Sequence, residues 1–221
     1  MKTIHSAAGT TWLASVLLIT ATAANAQIGS GWTQQNYSER LEYHHSGGPE
    51  IETISPAPSS FSDAYISYKN SGGVRTFTFK NTTAGRVEIR VNNDYTSGQH
   101  QFEGYLNFSK PSSELSDYQD TIVNQDFGAA THAAWKLEVN KSSNGSLTAE
   151  GPTIATGVYG QTLRVNVIHN MSTHRIQVYL NGSKKYDMAD QGGSSHYTKF
   201  GMYGGHVVTH DTWKNVKYFT K

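Results

Sequence analysis

Two short stretches of this sequence carry side chains able to grip a charged ligand. In Arg86-Val-Glu-Ile-Arg90, the residues Arg86, Glu88 and Arg90 are spaced by two. On an extended strand they project from one face and Val87 and Ile89 from the other. Tyr197, Lys199 and Tyr203 share a face in the same way, with Thr198, Phe200 and Met202 turned away. A face offering arginine, glutamate, lysine and tyrosine at ladder spacing is either an ordinary solvated surface or a groove for a polar ligand. As a groove it has suitable parts. A guanidinium fork binds a carboxylate through two parallel hydrogen bonds, and tyrosine rings present flat faces on which sugars can stack.

Other chemistries find little support. The sequence contains no G-x-S-x-G elbow, no G-x-x-x-x-G-K-[ST] phosphate loop and no H-E-x-x-H zinc helix. The E-x-D-x-x-E spacing of sandwich-fold glucanases is missing and the acids are scattered, which argues against a two-carboxylate glycoside hydrolase. With no cysteine there is no thiol nucleophile, no cysteine-ligated zinc and no disulfide scaffold. His206 and His210 have helical spacing, but Val207, Val208 and the preceding Gly204-Gly205 predict a loop or strand end. His44 and His45 point to opposite sides if extended. No metal site and no cofactor is expected. A structural calcium held by scattered carbonyls and carboxylates is the one ion left open.

The elements that must position these residues are strands. Charged residues are only 16% of the 221 and there are 21 glycines and 13 tyrosines, a composition suited to pleated sheets. Period-two alternation recurs along the chain: Phe77 and Phe79; Val87, Ile89 and Val91; Phe102, Leu106 and Phe108; Trp135, Leu137 and Val139; Leu163, Val165 and Val167; Ile176, Val178 and Leu180. Asn181-Gly182 then reads as a tight hairpin turn. No run of ten or more residues shows a helical stripe. The pattern predicts an all-β sandwich of two antiparallel sheets, a jelly roll. Residues 27–60 are expected to form an arm with short strands and residues 61–221 the main jelly roll, together one mature domain. A formal charge of +1 supplies no field for nucleic acid or membrane, and the protein is expected to act as a monomer.

The first 26 residues read as a separate object. Lys2 gives a positive start, Trp12 to Ile19 is apolar but too short to span a bilayer, and Ala24-Asn25-Ala26 is an A-x-A cleavage site. This is the pattern of a secretory signal peptide, so the protein is expected to be extracellular. N-x-[ST] sequons begin at Asn36, Asn81, Asn107, Asn140, Asn144, Asn170 and Asn181, which suits a glycosylated surface.

Five ordered blocks carry a resemblance. Arg86-Val-Glu-Ile-Arg90 is followed by Asn93-Asp-Tyr-Thr-Ser-Gly98 with Gln101-Phe-Glu-Gly104, then Leu163-Arg-Val-Asn-Val-Ile-His169. Ser195-His-Tyr-Thr-Lys-Phe-Gly-Met-Tyr203 and Trp213-Lys-Asn-Val-Lys217 complete the series. From about Phe61 to the C-terminus the chain resembles the plant citrate-binding-protein and alginate-lyase-type family. The resemblance implies a concanavalin A-like β-jelly roll related to polysaccharide lyase families seven and twenty.

It also implies a cleft where three motifs meet. R-x-E-x-R falls on Arg86, Glu88 and Arg90. Q-x-H falls on Gln125-Asp126-Phe127, so Phe127 stands in place of the histidine. Y-F-K-x-G-x-Y-x-Q falls on Tyr197 to Gly205, so Gly205 stands in place of the last glutamine. By this resemblance Tyr203, Gln125, Arg90 and Arg86 are the catalytic set. Glu88, Lys199, Tyr197, Gln101 and Tyr105 are expected to contact substrate, with Tyr95 a further aromatic for stacking.

The implied reaction is β-elimination on an acidic polysaccharide. It removes the weakly acidic C5 proton of a uronate, so the carboxylate must be neutralised. Arginine does this by its fork, and glutamine adds a donor for the growing enolate charge. Tyrosine serves as base and then as acid to the leaving O4, and nearby positive charge is needed to ionise it. Two readings stand: a secreted lyase acting on a uronate polymer, or a non-catalytic carbohydrate-binding or cell-wall protein using the same cleft.

Overall fold

The computed structural model describes residues 27–45, 51–114, 120–128 and 133–221; the segment read as a signal peptide lies outside the described residues. Eighteen strands follow one another among these residues. The first nine are β1 (Thr33–Gln35), β2 (Glu39–His45), β3 (Glu52–Ile54), β4 (Ser60–Ser62), β5 (Ile66–Ser71), β6 (Val74–Phe79), β7 (Ala84–Val91), β8 (Gln99–Phe108) and β9 (Ser113–Glu114). They continue as β10 (Thr121–Gly128), β11 (Ala133–Asn140), β12 (Ser146–Ala149), β13 (Thr153–Thr156), β14 (Thr162–Asn170), β15 (Arg175–Leu180), β16 (Ser183–Ala189), β17 (His196–Tyr203) and β18 (Val207–Thr220). One 3₁₀ turn, Ser142–Asn144, is the sole helical element among the described residues.

The strands form two antiparallel sheets. One runs in the order β16-β15-β14-β8-β18-β6-β5-β4, with β1 and β9 added on β18. The other runs β13-β12-β11-β10-β17-β7-β2-β3 and carries the groove. This is the expected jelly-roll sandwich. The alternation works as predicted: Val87, Ile89 and Val91 are buried between the sheets, as are Trp135, Leu137 and Val139, and Ile176, Val178 and Leu180. Asn181 and Gly182 both adopt positive φ, 51° and 84°, and turn β15 into β16.

Residues 27–60 are more than a peripheral arm. β2 pairs with β7 along its length, from Glu39↔Val91 to His45↔Ala84, and β1 pairs with the end of β18. Leu41 alternates with Arg40 and Glu42 and is fully buried, so the same period-two pattern places β2 in the groove sheet.

Beneath the groove the core is aromatic. Phe200, on the buried side of β17, meets Phe77 edge-on at 5.8 Å, Trp213 at 5.9 Å and Phe102 at 5.5 Å. Such pairs add about 0.5–1.5 kcal/mol each beyond their burial. They hold β17 against the opposite sheet, so Lys199 and Tyr203 on its other face are presented from a rigid strand.

Candidate functional site

The site is a lattice set by strand register. β17 pairs with β7 so that Tyr203 lies opposite Arg86, Gly201 opposite Glu88, and Lys199 opposite Arg90. On its other side β17 pairs with β10, which sets Gln125 beside Lys199 and Phe127 beside Tyr197. β2 adds His44 beside Arg86, Glu42 beside Glu88 and Arg40 beside Arg90. All of these alternate with core residues and so project from the outer face. Gly201 is required at its crossing. Its φ is +128°, and a Cβ there would stand 2.6 Å from the Val87 carbonyl oxygen.

The outer face is a groove of about 1340 Å³ whose lining includes Arg86, Gln125, Tyr197, Lys199 and Tyr203. Tyr203 is the most open of them, 37% exposed, and the Arg86 guanidinium lies over its ring at 4.1 Å. Tyr197 is stacked with Phe127 at 5.6 Å. Phe127, in the motif position of the histidine, therefore forms part of an apolar wall and offers no proton or hydrogen bond.

Two buried carboxylates organise the cations. Glu88 Oε1 accepts from Gln125 Nε2 at 2.8 Å, and its Oε2 lies 3.4 Å from Arg86 and 3.8 Å from Lys199. Glu42 pairs with Lys199 at 2.6 Å and Arg40 at 2.9 Å, and stands 3.8 Å from Arg86. Burial pushes the Glu42 carboxyl up, but Lys199 and then Arg40 more than reverse it, so it is held below the ordinary carboxylate range. Burial alone would lower Arg86; Glu88, Tyr203 and Glu42 outweigh that and hold it above the ordinary arginine value. These two acids face each other across the β2–β7 ladder. Like charges so placed repel, and Arg86 and Lys199, each near both, offset the repulsion.

The two motif arginines differ. Arg90 is closed: its guanidinium donates to Asp94 at 2.6 Å and Asn92 at 3.0 Å and lies 3.7 Å from the Tyr197 ring centre. It is absent from the groove lining. The ion-pair distances of Arg86 are long, so its fork keeps donors for a ligand.

Gln101 and Tyr105 do not join the site, and the expectation that they contact a ligand beside the others is corrected. Both lie on β8, a central strand of the opposite sheet. There Gln101 accepts hydrogen bonds from the Ile28 backbone at 2.7 Å and Asn166 at 3.2 Å, and Tyr105 pairs in register with Arg164 and Lys214. Tyr95 is buried and hydrogen-bonded to His169. A motif block near in sequence to the R-x-E-x-R strand is carried into the other sheet by the crossover after β7.

Sequence reasoning missed Arg40, Glu42 and His44, although their alternation with Leu41 and Tyr43 was a usable signal. It also missed a metal-type cluster. Donor atoms of His169, Asp190 and His196, which no sequence spacing linked, lie within 4.8 Å of one another. They come from β14, the connection after β16, and β17, too far apart in sequence to form a motif.

No family model matches the chain. A citrate-binding protein from Hevea brasiliensis is 35% identical over 179 residues, spanning 74% of this chain and 71% of the relative. Among solved structures, the alginate lyase AlgAT5 from polysaccharide lyase family 7 superposes with a TM-score of 0.61 at 16% identity, over 84% of this chain and 95% of that one. The alginate lyase from Corynebacterium sp. gives 0.64 at 13% identity, over 84% and 95%. The alginate lyase AlyC3 in complex with dimannuronate gives 0.64 at 10% identity, over 82% and 89%.

Proposed function

Since this chain belongs to the citrate-binding-protein family and has the jelly-roll fold of the family-seven alginate lyases, we propose that it is a secreted polysaccharide lyase cleaving a uronate-containing polymer by β-elimination. One observation carries the reading: an arginine with spare donors, a glutamine, a lysine and an open tyrosine converge on one groove from three adjacent strands. Arg86, with Gln125 and Lys199, neutralises the uronate carboxylate at one subsite. Tyr203 takes the C5 proton; the electron pair forms the C4–C5 double bond and the C4–O4 bond breaks. The proton then passes from Tyr203 to the departing O4, which returns the tyrosine to the deprotonated form in which it began.

The second reading, a binding protein without turnover, is favoured by Phe127. It removes the imidazole of the Q-x-H motif and leaves an apolar, stacking wall beside Tyr197. The relative named for citrate points the same way, because citrate and uronates share the carboxylate that Arg86 can grip. Incubation of the protein with a panel of mannuronate, guluronate and glucuronate polymers separates the readings. Growth of the ultraviolet absorbance of the unsaturated product supports the lyase. Saturable binding with no such growth supports the binder.

Secretion belongs to the same proposal and rests on residues 1–26. An N-terminus at Gln27 on the exported protein tests it. Asn36, Asn144 and Asn181 are the exposed sequon residues, whereas the Asn107 amide nitrogen donates to Gly160, so glycans are expected at the first three.

A further inference from the structure

Behind the groove sheet, at one end of the sandwich, five chemistry-bearing side chains meet that the lyase reading does not use. His169 reaches in from β14, His196 from β17 and Asp126 from β10; Tyr95 and Asp190 close the cluster from connecting segments. His169 is held from both ends. Its Nε2 lies 3.0 Å from Asp190 Oδ2, and its Nδ1 lies 2.9 Å from the Tyr95 hydroxyl and 4.0 Å from Asp126 Oδ2. The Asp190 carboxylate is itself aligned, its Oδ1 accepting from the Gly192 backbone N–H at 3.1 Å.

His196 is the anomaly. It is fully buried, its ring crosses that of His169 edge-on at 4.7 Å, and neither ring nitrogen makes a well-formed hydrogen bond. The Gly193 backbone is the polar group that approaches its ring from the main chain. A buried polar group left unmet is costly, and a protein rarely keeps one without a purpose. Here the unmet nitrogens sit beside an imidazole and a carboxylate that are already fixed in orientation.

We propose that His169, Asp190 and His196 bind one divalent transition-metal ion, zinc by donor type, which staples the two sheets together beside the groove. Two imidazoles and a carboxylate are a zinc-type donor set, whereas calcium and magnesium take oxygen donors. The donor atoms lie within 4.8 Å of one another. Across a tetrahedral zinc they stand roughly 3.4 Å apart, given bonds of about 2.0–2.2 Å. The set closes by drawing in His196, whose ring nitrogens make no well-formed hydrogen bond that would hold them back. The outer partners fit as well: with Nε2 on the metal, His169 directs Nδ1 toward Tyr95 and Asp126, the arrangement that orients metal-bound histidines. The ion joins β14 of one sheet to β17 of the other and fixes the 190–195 connection. Its ligand His196 immediately precedes Tyr197, which lines the groove.

The test uses tag-free full chain, stripped with chelator and titrated with zinc chloride. One ion per chain is expected, and at a hundredfold excess of zinc over its dissociation constant the melting temperature should rise by roughly 5–10 °C. Cobalt(II) should give the intense visible bands of a tetrahedral site, and calcium should do neither. His196→Gln and Asp190→Asn should abolish stoichiometric binding, Asp126→Asn should weaken it by roughly 10- to 100-fold, and His210→Ala, an exposed histidine bonded to Ser109 outside the cluster, should retain it. Absence of saturable zinc binding to the wild-type chain overturns the proposal. So does binding that persists in His196→Gln, or a cobalt spectrum without tetrahedral bands. Because the stoichiometry and the cobalt spectrum are read on the wild-type chain, a variant that fails to fold does not blunt the test.

Discussion

Arg86 and Arg90 occupy equivalent positions in the R-x-E-x-R motif, yet their surroundings predict opposite consequences when each is replaced by methionine, which keeps much of the stem and removes the charge. The Arg86 guanidinium faces the groove with its acidic neighbours no closer than 3.4 Å. It can give a uronate carboxylate two charged hydrogen bonds, worth about 1.5–3 kcal/mol net. Arg86→Met should therefore weaken binding of a uronate oligomer by roughly 10- to 150-fold. Both terminal nitrogens of Arg90 donate to Asp94 and Asn92, its Nε is buried out of reach of a ligand, and its flat face is covered by Tyr197. Arg90→Met should change affinity by less than about threefold, while lost cation–π stacking of about 0.5–2 kcal/mol appears as a lower melting temperature. Titration calorimetry with a defined oligouronate, in a Tyr203→Phe background to prevent turnover, reads both. Circular dichroism confirms that each variant is folded; Glu88 keeps Gln125 and Lys199 as partners in either case. Equal losses for the two arginines, or an unchanged constant for Arg86→Met, would refute the assignment of Arg86 as the anchor.

Three further outcomes are expected. In a lyase, Tyr203→Phe keeps the ring and removes only the hydroxyl, so kcat should drop by roughly 10²–10⁴ with little change in affinity; full turnover in this variant would mean another residue moves the proton. Glu42 is held below its ordinary value of 4.5 in the folded protein, so its pairing with Lys199 and Arg40 stabilises the fold above that pH and is lost as acid titrates the folded carboxylate. Thermal melts across the acid range should show a shallower decline for Glu42→Gln than for wild type, and parallel curves would remove Glu42 from the account. Gly201→Ala must place a methyl 2.6 Å from the Val87 carbonyl at positive φ, a strain of about 1–3 kcal/mol; an unshifted denaturation midpoint would show that the strands part there at no cost.

Much of the architecture was legible in the sequence because a pleated strand has a period of two. Val87 and Ile89 had to face one way and Arg86, Glu88 and Arg90 the other, and Tyr197, Lys199 and Tyr203 followed the same rule. Those faces, the hairpin at Asn181-Gly182 and the jelly-roll class needed no coordinates. Strand pairing is a different matter, since the partner of a strand is chosen by long-range packing. Register alone decided that Tyr203 stands beside Arg86 while Arg90 is closed over by Asp94 and Tyr197. Crossovers sent Gln101 and Tyr105 to the opposite sheet and drew β2 of the arm into the groove. Local spacing carries no trace of the meeting of His169, Asp190 and His196, because each is delivered by a different element and only the stacking of the two sheets sets their rings and carboxylate side by side.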